Sequence, residues 1–454
     1  MDLLKEKKFR RSATRARSAA VAPQAKPMGL PIELWIDILS RAQYDDGVAR
    51  YKWIKRYALV CRAWRCHAQR LLFRHVALRG SVHCKTFVNG LRSIADPEHL
   101  EALTSSVETL SVAMDHQDVY ADAIALCAHL KELDVCLYHA SFRPGVLEKL
   151  RPLPGLRVLR VRAHHYTALF QLLPRFPAIE YLEVNCSGAQ DPFPDLSLSP
   201  SPSQSQAHPP PPPWRLRELR YANFRRGTHG FVEWAVSGPA AGTRATLEVL
   251  HVQSLSFDPS SVPALGLTRL RSLHVPCVTD GDDLSSLSEL REIGMTHPRH
   301  PPPAFLPLPR GIRHISLHHL EKGDVEDVLG ALEEYCEGQG EGGELRVVTY
   351  HRSCEDKEDL LEDLRMLHDF FEERDIEFRL MDPPYGYYAC ERVPFEPIDT
   401  FPRPAPLSSR RQMDMETLLQ RAPPRQTVGR KFVRTMKRAL ASSSSLPPLA
   451  LAKG

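Results

Sequence analysis

The chain has 454 residues, 43% of them apolar, with a formal net charge of +4. A sizeable core can therefore be buried, length sets an expectation of about two to four domains, and a charge this small does not by itself point to nucleic acid. No apolar run approaches the roughly 20 residues a membrane span needs, the charged start MDLLKEKKFRRS is not that of a secretory signal, and the ten cysteines include no C-x-x-C pair.

Several cysteines (Cys127, Cys136, Cys277) sit inside apolar segments. Buried free thiols in a reducing compartment, cytosol or nucleus or both, are favoured over a disulfide framework.

Residues 1–27 are basic, lack apolar periodicity and are expected to be disordered. Their cluster Lys5, Lys7, Lys8, Arg10, Arg11 reads as a nuclear-import signal or as a solvated tail. Residues 28–78 read as a compact all-α module. Pro31 fits the first turn of a helix, where its missing N–H costs nothing, and Leu34, Ile38 and Leu39 make one apolar face. A polar break, Gln43 to Gly47, ends that helix. A second helical stretch carries Trp53, Ile54, Tyr57, Leu59, Val60, Cys61 and Trp64 and is apolar on more than one face. So small a module needs a partner surface or a neighbouring domain to cover it.

The periodicity then changes. VETLSV at Val107 is followed by LKELDV at Leu130, LRVLRV at Leu156, IEYLEV at Ile179, LRELRY at Leu216, LEVLHV at Leu247, LRSLHV at Leu270, LREIGM at Leu290, IRHISL at Ile312 and LRVVTY at Leu345. Most of these ten copies lie twenty to twenty-six residues apart, the spacing of a leucine-rich repeat. The predicted fold over 79–381 is an α/β solenoid. Short parallel strands line its concave face, and amphipathic segments such as VLEKLRPL, YTALFQLLPRF and HGFVEWAV return as helices on its convex face. Ten strands at ~4.8 Å give a sheet of about 45 Å. A Ser/Pro-rich insert, 187–213, is expected to be disordered. Regular repeats place Asn or Cys two or three residues past the last apolar strand position. Here Leu137, Tyr138, His164 or Ser187 stands there, which predicts irregular curvature.

A longer helix is expected at Val325 to Tyr335, a last amphipathic helix over 355–373, and a closing strand at IEFRL from Ile376. From 382 to 454 the chain is proline-rich, then basic, and is expected to be mostly disordered.

Motifs that carry chemistry are absent from the sequence. There is no G-x-S-x-G elbow, no H-E-x-x-H and no P-loop, since GQGEGG lacks a following Lys-Ser/Thr. The pairs His164-His165 and His318-His319 are adjacent, so on a strand they face opposite sides and suit a shared metal poorly. No catalytic, metal or cofactor residues are assigned. What remains is recognition. The residues between the apolar strand positions should line the concave face: Asp134, Arg160, Arg162, Glu183, Arg220, His251, His274, His314 and Ser316. Their Arg and His suit an acidic or phosphorylated partner, against the reading of ordinary polar surface.

LPIELWIDIL followed by ALVCRAW resembles the F-box, which begins Leu-Pro-x-Glu-Leu, continues through an Ile-Leu helix and ends Val-Cys-x-x-Trp. Leu30, Pro31, Glu33, Leu34, Ile38, Leu39, Val60, Cys61 and Trp64 match. LLFRHVAL, Leu71 to Leu78, resembles the strand that follows F-boxes in fungal proteins of this kind. The middle, YDDGVARYKWIKRY, is longer and more polar than the usual second helix. The layout is similar to basidiomycete F-box proteins with degenerate leucine-rich repeats. The F-box covers about a ninth of the chain, and the whole resemblance about three quarters.

The resemblance implies a non-enzymatic receptor subunit of an SCF-type cullin–RING ubiquitin ligase. A Skp-type adaptor, and through it cullin, would dock on Leu30, Pro31, Leu34, Ile38, Leu39, Val60, Cys61 and Trp64, while an unidentified protein target sits on the repeats. Each adaptor residue has packing inside the module or against the first repeat as its alternative. A repeat scaffold unconnected with ubiquitin is the second reading. Nucleic-acid binding through the basic tails ranks last, because the folded middle offers little aromatic interleaving for base stacking. No membrane role is implied.

Overall fold

Apolar residues two apart in an extended chain face the same side, and a five-residue strand cannot cover that side alone. Stacking in register is the solution the chain adopts. The computed structural model describes residues 31–381, except 43, 46–47, 50, 114–115, 187–188, 190–210, 224–229, 239–241, 255–256, 280, 296–304, 306–307, 319–323, 340–342 and 352–359. Both tails, Leu30, Ser187 and most of the Ser/Pro-rich insert lie outside the described residues. The chain divides into two units, Met1–Leu71 and Leu72–Gly454.

The first unit holds α1 (Ile32–Ala42), β1 (Tyr44–Asp45), β2 (Val48–Ala49), α2 (Tyr51–Tyr57) and the start of α3 (Arg62–Arg74). The expectation of an all-α module is corrected here, because β1 and β2 pair antiparallel, with Tyr44 opposite Ala49 and Asp45 opposite Val48. The sequence between them is Asp-Gly, the dipeptide that two-residue hairpins favour. The single second helix is corrected too. After α2 the backbone tightens, with Leu59 N–H donating to the Arg56 carbonyl at 3.0 Å and Val60 N–H to that of Tyr57 at 3.1 Å. Helix α3 starts afresh, the Arg65 N–H donating to the Cys61 carbonyl at 3.1 Å.

The second unit opens with β3 (His75–Arg79), so the end of LLFRHVAL belongs to the sheet. Then come α4 (Ser81–Arg92), α5 (Pro97–Thr104), β4 (Thr109–Ala113), α6 (Gln117–Leu126), β5 (Glu132–Leu137), α7 (Pro144–Lys149), β6 (Val158–Ala163), α8 (Tyr166–Leu172) and β7 (Tyr181–Asn185). Beyond the insert follow β8 (Glu218–Ala222), α9 (Gly230–Val236), β9 (Val249–Gln253), β10 (Ser272–Val275), β11 (Glu292–Met295) and β12 (His314–His318). The unit closes with α10 (Asp324–Gln339), β13 (Val347–His351), α11 (Leu360–Glu372) and β14 (Glu377–Met381). Among the described residues β3 to β14 form one twelve-stranded sheet in strict chain order. Every neighbouring pair is parallel. All ten motif copies are strands, β4 to β13, and IEFRL supplies β14.

Register turns the motif into two buried ladders. One runs Leu110, Leu133, Leu159, Leu182, Leu219, Leu250, Leu273, Ile293, Ile315 and Val348; the other runs from Val112 and Val135 to Leu317 and Tyr350. All of these side chains are buried. Burial of each is worth about 1.5–3 kcal/mol, and truncating one of the leucines to Ala should cost about 2–5 kcal/mol.

A second device recurs one residue before each strand from β4 to β12. The carbonyl of this lead residue accepts two amides from the next repeat. Glu108 takes Lys131 and Glu132 at 2.9 and 3.0 Å; Arg271 takes Arg291 and Glu292 at 2.8 and 3.0 Å; Arg313 takes Arg346 and Val347 at 2.9 and 3.1 Å. The same pair of bonds links the intervening repeats. Lead residues therefore stack on one another as the strands do.

The expected helices between strands form as α7, α8 and α9. Between β9 and β10 the expectation is corrected. Two 3₁₀ turns, Pro259–Ser261 and Pro263–Leu265, take the place of a helix, since proline offers no amide to an i→i−4 bond. Parts of the insert are described and pack. Ala189 and Pro212 are buried, and Trp214 is fully buried with its ring 5.6 Å from that of Trp234. The reading of the turns as poor in Asn and Cys passed over Cys186 and Asn223, which stand two residues past Val184 and Tyr221 and are buried. The Asn223 amide donates to the Tyr166 hydroxyl at 2.6 Å and to that of Tyr221 at 3.1 Å.

Candidate functional site

In the first unit, the i, i+4 spacing of Leu34 and Ile38 puts them on one side of α1, and that side is open: they are 49% and 45% exposed. Val60 at 60% and Leu59 at 85% stand out from the turn after α2, and Pro31 and Cys61 are exposed. Two of the residues expected at an adaptor surface are placed otherwise. Leu39 is buried and serves the core, which corrects its assignment as a contact. Trp64 is half-buried, its ring 4.7 Å from that of Trp35 and 6.1 Å from that of Tyr57. Trp53, Tyr51 and Leu59 were not read as contacts, yet all three are exposed. The Arg56 guanidinium lies 5.0 Å over the Trp53 ring.

In the second unit, the sheet face opposite the core carries the residues expected to hold a target. Pairing puts Asp134, Arg160, Glu183, Arg220, His251, His274, Gly294, Ser316 and Thr349 in one row. The expectation that this row is exposed is corrected. Asp134, Arg160, His314 and Ser316 are buried, Arg160 to 7%, while Arg162, Glu183, Arg220, His251 and His274 are half-buried. The cause is register, which sets opposite charges beside one another at strand spacing, so that the long side chains lie along the sheet and pair. Arg160 reaches Glu132 at 3.0 Å and Glu183 at 3.6 Å; Arg162 reaches Asp134 at 3.7 Å; Arg220 reaches Glu218 at 2.6 Å and Glu183 at 3.9 Å. These guanidiniums are buried or half-buried and each is matched by a carboxylate of the same sheet face, which argues against them as a landing site for an acidic partner.

Farther along lies a polar cluster. Glu292 is buried, with Oε2 accepting from the Ser272 hydroxyl at 2.7 Å and Oε1 standing 3.1 Å from His314 Nδ1 and 3.7 Å from His274 Nε2. His314 Nε2 hydrogen bonds with the Thr349 hydroxyl at 2.9 Å, and the rings of His251 and His274 are 5.0 Å apart. The His274 imidazole lies across Gly294, where a Cβ would fall within 2.7 Å of three ring atoms. The predicted histidines thus converge, with a carboxylate and a glycine that the sequence reading did not connect to them.

Reactive chemistry finds little support. Burial pushes the thiols of Cys84 and Cys277 up to about 11 and that of Cys127 to about 12, so at neutral pH they are protonated and poor nucleophiles. Among the described residues one group brings three ligand-type side chains within 4.8 Å, His368, Asp369 and Glu372 on α11. Glu372 is 75% exposed there, and the group reads as the polar face of a helix. Among the described residues no helix is long and apolar enough to cross a membrane.

No protein-family model matches the sequence. No curated protein matches it. Among solved structures, the chain is similar to a leucine-rich-repeat protein of Leptospira interrogans at 9% identity and a TM-score of 0.19, over 67% of this chain and 99% of that one. At that TM-score the likeness adds nothing to the strand pairing. The second unit has a leucine-rich-repeat-like fold, and it rests on the sheet itself.

Proposed function

We propose that the chain is the target-holding subunit of an SCF-type cullin–RING ubiquitin ligase, with the first unit docking a Skp-type adaptor and the repeats holding a protein target. The observation that carries the reading is the first unit's open apolar surface. Leu34, Ile38, Leu59 and Val60 are exposed within a segment that matches the F-box pattern, and apolar surface so concentrated calls for a partner. Leu39 and Trp64 play the structural part of the motif. The chain itself would contribute no chemistry. Its effect would be a raised effective concentration of target lysines near a separate active site.

Capture of a purified Skp-type adaptor by the full chain tests this. The wild type should bind, and Leu34→Ala with Ile38→Ala and Val60→Ala should weaken capture by about tenfold or more, as loss of a hot-spot cluster does, with an unchanged thermal melt. A wild-type chain that ignores the adaptor would leave the second reading, a repeat scaffold unconnected with ubiquitin.

A further inference from the structure

The lead residues of β4 to β13 all carry charge: Glu108, Lys131, Arg157, Glu180, Arg217, Glu248, then Arg271, Arg291, Arg313 and Arg346; before β14 the place is taken by Ile376. Their backbones are chained by hydrogen bonds of 2.7–2.9 Å from each lead amide to the preceding lead carbonyl, so successive side chains start about 4.8 Å apart. Early in the stack the signs match. Lys131 pairs with Glu108 at 3.0 Å, Arg157 with Glu180 at 3.8 Å and Arg217 with Glu248 at 3.1 Å. At the far end the ladder gives way to apolar Ile376, and Glu377, the first residue of β14, is held by Arg379 at 2.8 Å. Between these stands a run of four arginines.

Like charges set directly opposite one another destabilise a sheet, so this run is kept at a cost that the alternating part of the ladder avoids. The carboxylates on the adjoining turns are fewer than the arginines. The residues three before these strands add exposed Arg269 and Glu289 and half-buried Glu344, and Arg310 is exposed beside Gly311. Six arginines thus face two carboxylates. Glu344 meets Arg313 at 2.8 Å, and its carboxyl is held below the usual range by that hydrogen bond and by the charges of Arg313, Arg291 and Arg346. Arg291 is laid down, its Nη1 donating to the Ser288 and Leu290 carbonyls at 2.8 and 3.1 Å and its guanidinium lying against Gly311. Arg313 and Arg346 are exposed.

We propose that Arg271, Arg291, Arg313 and Arg346 form a docking surface for an acidic, Asp/Glu-rich segment of a partner protein. Charge complementarity selects this occupant. The four lead positions span about 14 Å, the length of about four or five residues of extended chain, and guanidiniums pair carboxylates through two parallel N–H···O bonds. The surface stands apart from the ligase reading, and a null adaptor result leaves it untouched.

Fluorescence anisotropy of a labelled oligoglutamate peptide with the full chain tests it. The variant Arg271→Gln, Arg313→Gln, Arg346→Gln keeps Arg291, which holds backbone carbonyls. It should bind about tenfold more weakly at low ionic strength and show a shallower salt dependence. The control Arg79→Gln, Lys85→Gln, Arg151→Gln removes the same charge from exposed sites elsewhere and should bind as wild type. Equal weakening in both, or none in either, overturns the proposal, because binding would then follow net charge or the basic tails. A single-stranded oligonucleotide that binds more tightly than the peptide, with the same dependence on the three arginines, overturns the occupant.

Discussion

Gly294→Ala should destabilise the sheet, and His274→Ala should reverse the sign of that effect. Gly294 sits mid-strand without a positive φ, so its backbone accepts alanine and only space is at issue. The new Cβ would fall within 2.7 Å of three atoms of the His274 ring, where ordinary contact begins near 3.4 Å. To escape, the ring must leave its place beside Glu292 and His251. Overpacking of this kind costs about 1–3 kcal/mol. With His274 truncated the space is vacant, and alanine should stabilise by about 0.4–1 kcal/mol through the unfolded state. The coupling is then about 1.5–4 kcal/mol, large for a residue pair. Urea titration of the four proteins of the cycle reads it. With m of about 1–3 kcal/mol per molar, the shifts are a substantial fraction of a molar and of opposite sign in the two backgrounds. Equal shifts in both would refute the account of why glycine stands at 294.

Among the cysteines of the described residues, native-state thiol labelling at neutral pH should modify Cys61 and Cys66 first, since both are exposed, while Cys84, Cys127 and Cys277 stay slow because burial raises their pKa values. If the adaptor docks as proposed, its addition should also shield Cys61, which mass spectrometry of the labelled protein would read. For Glu108, burial raises the carboxyl pKa, but hydrogen bonds and charges from Lys131 and Arg74 outweigh it and hold the group below its ordinary 4.5. A depressed acid contributes stability above the unfolded pKa and loses it as pH falls through the folded one. Glu108→Gln should therefore flatten the loss of thermal stability below about pH 4.5, and an unchanged acid limb would count against the pairing.

The sheet was legible because its signal is local. Leu133 and Val135, or Leu159 and Val161, declare a buried face within one strand, and repetition made chance matching untenable. Strands β1 and β2 were not, because two residues show no period and the Asp-Gly between them sat inside a stretch read as a polar break. The burial of Arg160 and Asp134 was hidden for a different reason. It depends on which residue of the next repeat lies alongside, and the insert and unequal connectors hide that pairing from a reader of one motif at a time. Cys186 and Asn223 were in plain view but were set aside when the turns were scored one residue later. The lead arginines were written in each motif as well. Reading only its apolar letters left Arg271, Arg291, Arg313 and Arg346 as filler between leucines. In the first unit, the pattern gave Leu34 and Ile38 correctly as surface. It could not separate them from Leu39, because three residues on one helix face differ in burial only through what packs across from them.

The lead carbonyl that accepts two amides has a consequence for how such a chain can change. Registration of each repeat on the last is settled at one backbone point, by atoms every residue possesses. The stretch of chain between two such points is then at liberty to be a helix, as in α8, a pair of 3₁₀ turns, as at Pro259 to Leu265, or the long run between Asn185 and Glu218, and the strands on either side meet in the same phase. Changes of connector length can therefore leave the strand register intact, provided the connector still supplies the buried side chains that complete the core, as Leu169 and Leu172 of α8 do. Selection can then rework the rim of the stack while the stack itself stays fixed.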